Sequence, residues 1–285
     1  MTASSSFFTD KTAVITGAGG TLCSAIALRL ANEGARVALL GRTLASLETI
    51  ATQIRAAGGT ALPVACDVTQ PDQVERARAE ISSALGAPWF LLNGAGGNQA
   101  SAITTTTEFD PAELAADRPA ELRGFFNLNL QTFEDVIRIN TLGTVVPSQI
   151  FGRDMAALGR GSILNFASMT SYRPISRVAA YATAKAGIVN FTSWLAAYLA
   201  PAGVRVNGVA PGFFVNERSR KILQNPDGSL SARGRNVMHH TPFKRFGEAS
   251  ELLGGVLWLL NDEQAAFVTG VTLPIDGGFL ACPGV

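Results

Sequence analysis

The chain has 285 residues, 47% hydrophobic and 16% charged, with 23 Lys and Arg against 22 Asp and Glu. Disorder, coiled coil and collagen all need more charge, a stricter repeat or less apolar content. The balanced charge leaves no basic footprint for nucleic acid.

The predicted elements alternate short apolar runs with longer helical stretches. Thr12–Thr16 reads as a strand, followed by a glycine turn and a helix with Leu22, Ile26 and Leu30 on one stripe. Gly34 ends that helix, and Arg36–Leu40 forms the second strand. Residues 61–65, 89–93, 162–167, 204–209 and 271–275 repeat the theme. Continuous apolar strands alternating with helices predict an α/β fold, a doubly wound parallel seven-stranded sheet with helices on both faces. No break in composition interrupts it, so 1–285 is expected to be one domain. Two stretches, 98–135 and 213–247, follow strand C-termini and fit no element. Long insertions at that edge read as substrate loops.

Three scattered cysteines (Cys23, Cys66, Cys282) argue against a disulfide framework, and two histidines (His239, His240) are too few for a usual zinc site. No metal is therefore expected. Residues 1–8 lack the basic and apolar regions of a signal peptide. The uncharged stretch between Lys185 and Arg205 is interrupted by Asn190, Thr192, Ser193 and Pro201, and reads as a buried helix rather than a membrane span. A cytoplasmic protein with no membrane partner is expected.

Thr16-Gly17-Ala18-Gly19-Gly20 lies between the first strand and helix. Small residues there let the backbone approach a pyrophosphate at the helix N-terminus, although glycine turns also join strands to helices with no ligand. Asp67-Val68 after the third strand offers a carboxylate to an adenine amino group. Asn93-Gly94-Ala95 after the fourth leaves room beside a ribose. Tyr181 and Lys185 stand four residues apart on one helix face, and Ser168 ends the strand before them.

This ordered set resembles the short-chain dehydrogenase/reductase family over nearly the whole chain. The resemblance implies that Ser168, Tyr181 and Lys185 are catalytic, with Asn140 as a fourth member anchoring a proton-relay water. It implies dinucleotide contacts at Gly17, Gly19, Gly20, Thr21, Leu22, Arg42, Asp67, Val68, Asn93, Gly94, Ala95, Tyr181, Lys185, Pro211, Gly212 and Phe214. The family pattern TGxxxGxG is broken, because Thr21 and Cys23 stand at its last two glycine positions. Within the family, Ala95-Gly96-Gly97-Asn98, 147–152, 210–215, 225–229 and the ending from Asp276 are similar to the D-mannonate oxidoreductase (fructuronate reductase) branch. Asn216 stands where threonine is frequent in the wider family. Relatives pair the helix carrying Tyr181 across subunits, which implies a homodimer or homotetramer. The run Leu252, Leu253, Val256, Leu257 and Leu260 offers another apolar face.

The expected chemistry interconverts a secondary alcohol and a ketone, with Tyr181 as acid/base and Ser168 holding the substrate oxygen. Lys185 is expected to lower the tyrosine pKa from about 10. Arg42 follows Gly41, where an acid would hold a ribose diol, so NADP is favoured over NAD; stacking on the adenine of either cofactor is the alternative. In 213–247, Arg218, Arg220, Lys221, Arg233, Arg235, Lys244 and Arg245 outnumber Glu217 and Asp227. That excess suits a sugar-acid carboxylate, or else a solvated surface. Asn98, Ser168, Met169 and Phe213 are the candidate substrate contacts. Reduction of a keto-gluconate or a 3-oxoacyl thioester is the alternative activity, and non-catalytic nucleotide binding a third reading.

Overall fold

The computed structural model describes residues 6–215, 220 and 223–281. Its strands are β1 (Thr12–Thr16), β2 (Arg36–Gly41), β3 (Thr60–Ala65), β4 (Pro88–Asn93), β5 (Gly161–Phe166), β6 (Val204–Pro211) and β7 (Thr272–Ile275). They form one parallel sheet in the order β3-β2-β1-β4-β5-β6-β7. The helices are α1 (Thr21–Asn32), α2 (Leu44–Ala56), α3 (Pro71–Leu85), α4 (Leu130–Ala157), α5 (Ala179–Leu199), α6 (Ala232–His240) and α7 (Ala249–Leu260).

The period-2 geometry of a strand sends successive side chains to opposite faces, which divides the core in two. Ala13, Ile15, Val37, Leu39 and Leu92 meet α1, α2 and α7 through Ile26, Leu30, Leu47, Ile54, Leu252 and Val256. Val14, Ala38, Leu40, Leu91 and Ile163 meet α3, α4 and α5 through Val74, Ile81, Phe151, Met155 and Leu195. Both faces are covered, which is why the strands read as unbroken apolar runs.

A buried polar chain crosses the second layer. The Asn93 amide donates to Ser148 Oγ and Asn165 Oδ1, both at 2.9 Å, and the Asn165 amide donates to Thr192 Oγ1 at 3.0 Å. It ties the C-terminal ends of β4 and β5 to α4 and α5, and so fixes the edge where open parallel sheets bind ligands.

Two boundaries differ from expectation. The first insertion stops at 129 rather than 135, because the Asn129 side chain accepts the Thr132 N–H at 2.8 Å and caps α4. Before that cap the insertion holds three short 3-10 turns, at Ala100–Ala102, Pro111–Leu114 and Phe125–Asn127. The second insertion carries a helix of its own, α6, capped by Ser231. Among the described residues no helix is long and apolar enough to cross a membrane.

Candidate active site

The β1–α1 turn is built for close approach. Gly17 has φ +65°, and a Cβ there would sit 2.8 Å from the Ala95 backbone. Gly20 caps α1 without a side-chain hydrogen bond, and the first turn has no acid. The first N–H groups of α1 have no intrahelical acceptor and meet a cleft with a positive helix end behind them. The departures from the glycine pattern are accommodated. Thr21 is exposed at the cleft, and Cys23 is buried against Gly94, where any Cβ would overlap its sulfur. The glycine missing from the helix is supplied by the strand end opposite.

That cleft, about 310 Å³, is lined by Gly20, Thr21, Leu22, Cys23, Gly94, Gly96, Gly97, Ser168, Tyr181, Lys185, Pro211, Gly212 and Phe214. Ser168 follows β5 and heads a 3-10 turn. Its Oγ accepts from Thr170 N at 3.2 Å, and its own N–H donates to Ser171 Oγ. Ser171 Oγ in turn donates to the Lys185 carbonyl at 2.7 Å, locking the serine turn to α5. Sequence reasoning missed Ser171; its spacing after Ser168 was the available signal.

The Tyr181 hydroxyl hydrogen-bonds Ser168. Lys185 is buried, with Nζ donating to the Phe166 carbonyl at 2.6 Å and lying 5.7 Å from the Tyr181 ring centroid. The expected lowering of the tyrosine pKa by Lys185 is corrected here. Burial dominates and pushes the Tyr181 hydroxyl up, although part of the residue still meets solvent; the Ser168 hydrogen bond is what draws it down. Burial also takes the Lys185 ammonium down to about 8. Both charged forms lose water in the same place, so neither can be assumed to dominate the other. Burial pushes the neighbouring Cys23 thiol up to about 12.

Asn140 is fully buried on α4. Its amide donates to the Gly97 carbonyl at 2.7 Å and the Val136 carbonyl at 2.8 Å, while its Oδ1 accepts from Gly97 N at 3.1 Å. The side chain therefore clamps the start of the first insertion, and its main-chain carbonyl accepts from Thr144 Oγ1 at 3.1 Å.

Several expected contacts lie elsewhere. The Asn93 amide nitrogen is engaged in the buried polar chain described above, and its Oδ1 is buried without a partner. Val68 and Ala95 are buried in the core, and Met169 is buried beneath the serine turn. Phe213 packs edge-on against Phe279 and lines a separate pocket with Phe243, Arg245 and Asp276. Asn98 lines a second cleft of about 330 Å³ with Arg42, Asp67, Thr69, Asp135 and Arg138. Asp67 Oδ1 accepts from Thr69 N and Oγ1, both at 2.9 Å, which leaves its other oxygen for an adenine amino group. Gly96 and Gly97 line both clefts. Arg138 is a second guanidinium at the adenosine end that sequence reasoning missed; it reaches the cleft from α4, 96 positions from Arg42, and no local motif marks it. Gly17 and Gly19 shape the turn without lining the cleft. The calls on Asn216, Glu217, Arg218, Lys221, Cys282 and the last three residues fall outside the described residues.

The arrangement fits a dinucleotide: uncapped helix N–H groups and small residues for a pyrophosphate, Asp67 for adenine, and Lys185 and Tyr181 at the far end. Residues 11–227 match the family model described as short chain dehydrogenase. The chain is 43% identical over 275 residues to the uncharacterized oxidoreductase UxuB of Bacillus subtilis, covering 96% of each chain. It is 31% identical over 269 residues to D-threitol dehydrogenase of Mycolicibacterium smegmatis, covering 94% of this chain and 92% of that one. A crystal structure of a protein from Haemophilus influenza, provisionally named a D-mannonate oxidoreductase and holding NAD, superposes with a TM-score of 0.91 at 38% identity over 97% of both chains.

Proposed function

The chain belongs to the short-chain dehydrogenase family, and on that premise we propose that it interconverts a hydroxyl and a ketone on a sugar acid, D-mannonate and D-fructuronate first among candidates. It is an NAD(P)-dependent oxidoreductase acting on CH–OH donors, as its relatives are. The observation that carries the reading is one cleft holding Ser168, Tyr181 and Lys185 beside an uncapped helix N-terminus. The nicotinamide dinucleotide, when bound, accepts or supplies the hydride. Ser168 holds the substrate oxygen and Tyr181 moves its proton. With its hydroxyl pushed up by burial, Tyr181 stays protonated over a wide pH range and suits the acid role in ketone reduction. Asn140 and Lys185, which meet beside Gly96, form the proton relay in this reading, with Lys185 held in place by the Phe166 carbonyl.

NADP is the preferred cofactor in this reading. The β2–α2 connection, Gly41-Arg42-Thr43, has no carboxylate for a ribose diol, and Arg42 and Arg138 both reach the adenosine end. The whole chain, 1–285, acts as one catalytic unit in the cytoplasm, with buried free thiols at Cys23 and Cys66. It assembles as a homodimer or homotetramer through α5, where Phe191, Trp194 and Tyr198 form a stacked row with Trp194 57% and Tyr198 67% exposed. The α7 face contributes less than its sequence suggests, because Leu252, Val256, Leu257 and Leu260 are buried in the chain's own core.

The test is a matrix of NAD and NADP against hexonates, keto-gluconates, alditols and a 3-oxoacyl thioester. Turnover is expected with a hexonate or its keto form. Thioester reduction without any hexonate turnover refutes the reading.

A further inference from the structure

Tyr181 is the third residue of α5, and that helix begins with little support of its own. Val178 stands at its N-cap with no side-chain hydrogen bond, and the first turn holds no acid. Valine is among the poorest residues at that position, and an uncapped first turn frays readily. Ser171 Oγ ties the serine turn to the Lys185 carbonyl, one turn deeper in the helix. Lys185 is therefore fixed from within α5, whereas Tyr181 depends on whatever holds the helix start.

The first insertion holds it. Thr104 N donates to the Arg177 carbonyl at 3.1 Å, and Arg177 Nε donates back to the Thr104 carbonyl at 2.6 Å, a clasp across 73 positions of chain. Arg177 has φ +78°, a left-handed conformation uncommon for arginine. Such a backbone persists only where its surroundings fix it. Beside the clasp, Ala102, Val136 and Ala180 form a small buried cluster with Phe133 and Tyr181 packed against it. Thr104 is itself held from both sides. Thr105 N donates to the Arg123 carbonyl at 2.7 Å, the Arg123 N–H donates to Thr105 Oγ1 at 2.9 Å, and Arg123 Nε donates to the Ile103 carbonyl at 3.3 Å.

We infer that Arg177 is a positioning residue for Tyr181: its clasp to Thr104 sets the first turn of α5, and the tyrosine hydroxyl with it, against the serine turn. The inference rests on the assignment of Tyr181 as acid/base. Misplacing a reacting group by about 1 Å costs on the order of a hundredfold in rate. Loss of one hydrogen bond at the helix start therefore reaches the chemistry through Tyr181 alone.

The test compares wild type with Arg177→Gly, Arg177→Ala and Arg177→Lys. Glycine suits the left-handed backbone and lacks the donor, so Arg177→Gly keeps the fold while losing the side-chain arm of the clasp. Arg177→Lys keeps a donor. With the substrate and dinucleotide that wild type turns over best, Arg177→Gly and Arg177→Ala are expected to lose about tenfold to a hundredfold in kcat. KM for the dinucleotide is expected to stay within about twofold, and Arg177→Lys to recover part of the kcat. Hydrogen–deuterium exchange of the peptide covering the start of α5 is expected to quicken about tenfold in the glycine and alanine variants, with the sheet unchanged. Where Tyr181→Phe is impaired, wild-type kcat in both Arg177→Gly and Arg177→Ala overturns the inference. Wild-type exchange at the helix start overturns it whatever the turnover. Faster exchange there upholds the placement of Tyr181 even where Tyr181→Phe matches wild type in turnover, an outcome that refutes only the acid/base reading.

Discussion

Replacing Lys185 with methionine removes a buried ammonium and leaves the shape nearly unchanged. In the folded protein the Lys185 pKa falls from 10.5 to about 8. That difference, 10.5 − 8 = 2.5, corresponds to about 3 kcal/mol at 1.36 kcal/mol per unit. Between pH 8 and 10.5 the unfolded chain binds the proton that the folded chain has released, so wild-type stability rises with pH across that window. Below pH 8 both states are charged and the folded protein bears the full cost of burial. Losing the hydrogen bond to the Phe166 carbonyl costs the variant about 1–3 kcal/mol at every pH. Lys185→Met is therefore expected to be about as stable as wild type, or slightly more so, at pH 7, and less stable at pH 10.5. The wild-type-minus-variant difference rises by about 3 kcal/mol over that range. Urea denaturation of the dinucleotide-free proteins at half-unit pH steps measures it. Parallel curves would refute the reasoning, because the lysine would then titrate alike folded and unfolded.

Tyr181→Phe is expected to lower kcat by about 10²–10⁴ while dinucleotide binding, read by nucleotide fluorescence, falls far less; turnover equal to wild type removes Tyr181 from the mechanism. Arg42→Ala is expected to weaken NADP binding about tenfold to a hundredfold and NAD binding much less, and equal losses leave only adenine stacking. Gly94→Ala forces a methyl onto the Cys23 sulfur and is expected to cost about 1–3 kcal/mol by urea denaturation. Adding Cys23→Ala restores most of that loss if the overlap is its cause.

The sheet and its edge were legible along the chain because strand, turn and helix signals are local. Thr12–Thr16, the glycine turn and the Leu22–Ile26–Leu30 stripe each lie within a few neighbours, and the four-residue spacing of Tyr181 and Lys185 is a property of one helix. The end of the first insertion was also local, in Asn129 and Thr132, but a cap hidden in a long polar stretch is easily passed over. Asn93 was legible as a site-edge residue and not as a buried linker, because its direction depends on Ser148 and Asn165, 55 and 72 positions away.

Composition and periodicity by themselves determined the doubly covered parallel sheet, and residue order determined which side chains end up at its C-terminal edge. Tertiary structure decided what those side chains experience. The sequence pattern of a tyrosine and a lysine one turn apart suggests a phenol made acidic by its neighbour; burial instead raises the tyrosine and lowers the lysine, since desolvation depends on everything packed around a group and on nothing beside it in the chain. Tertiary structure likewise brought Gly94 to Cys23, and Arg138 to the cleft that Arg42 lines. Each pair is distant in sequence, and proximity between such residues is a property only of the folded chain.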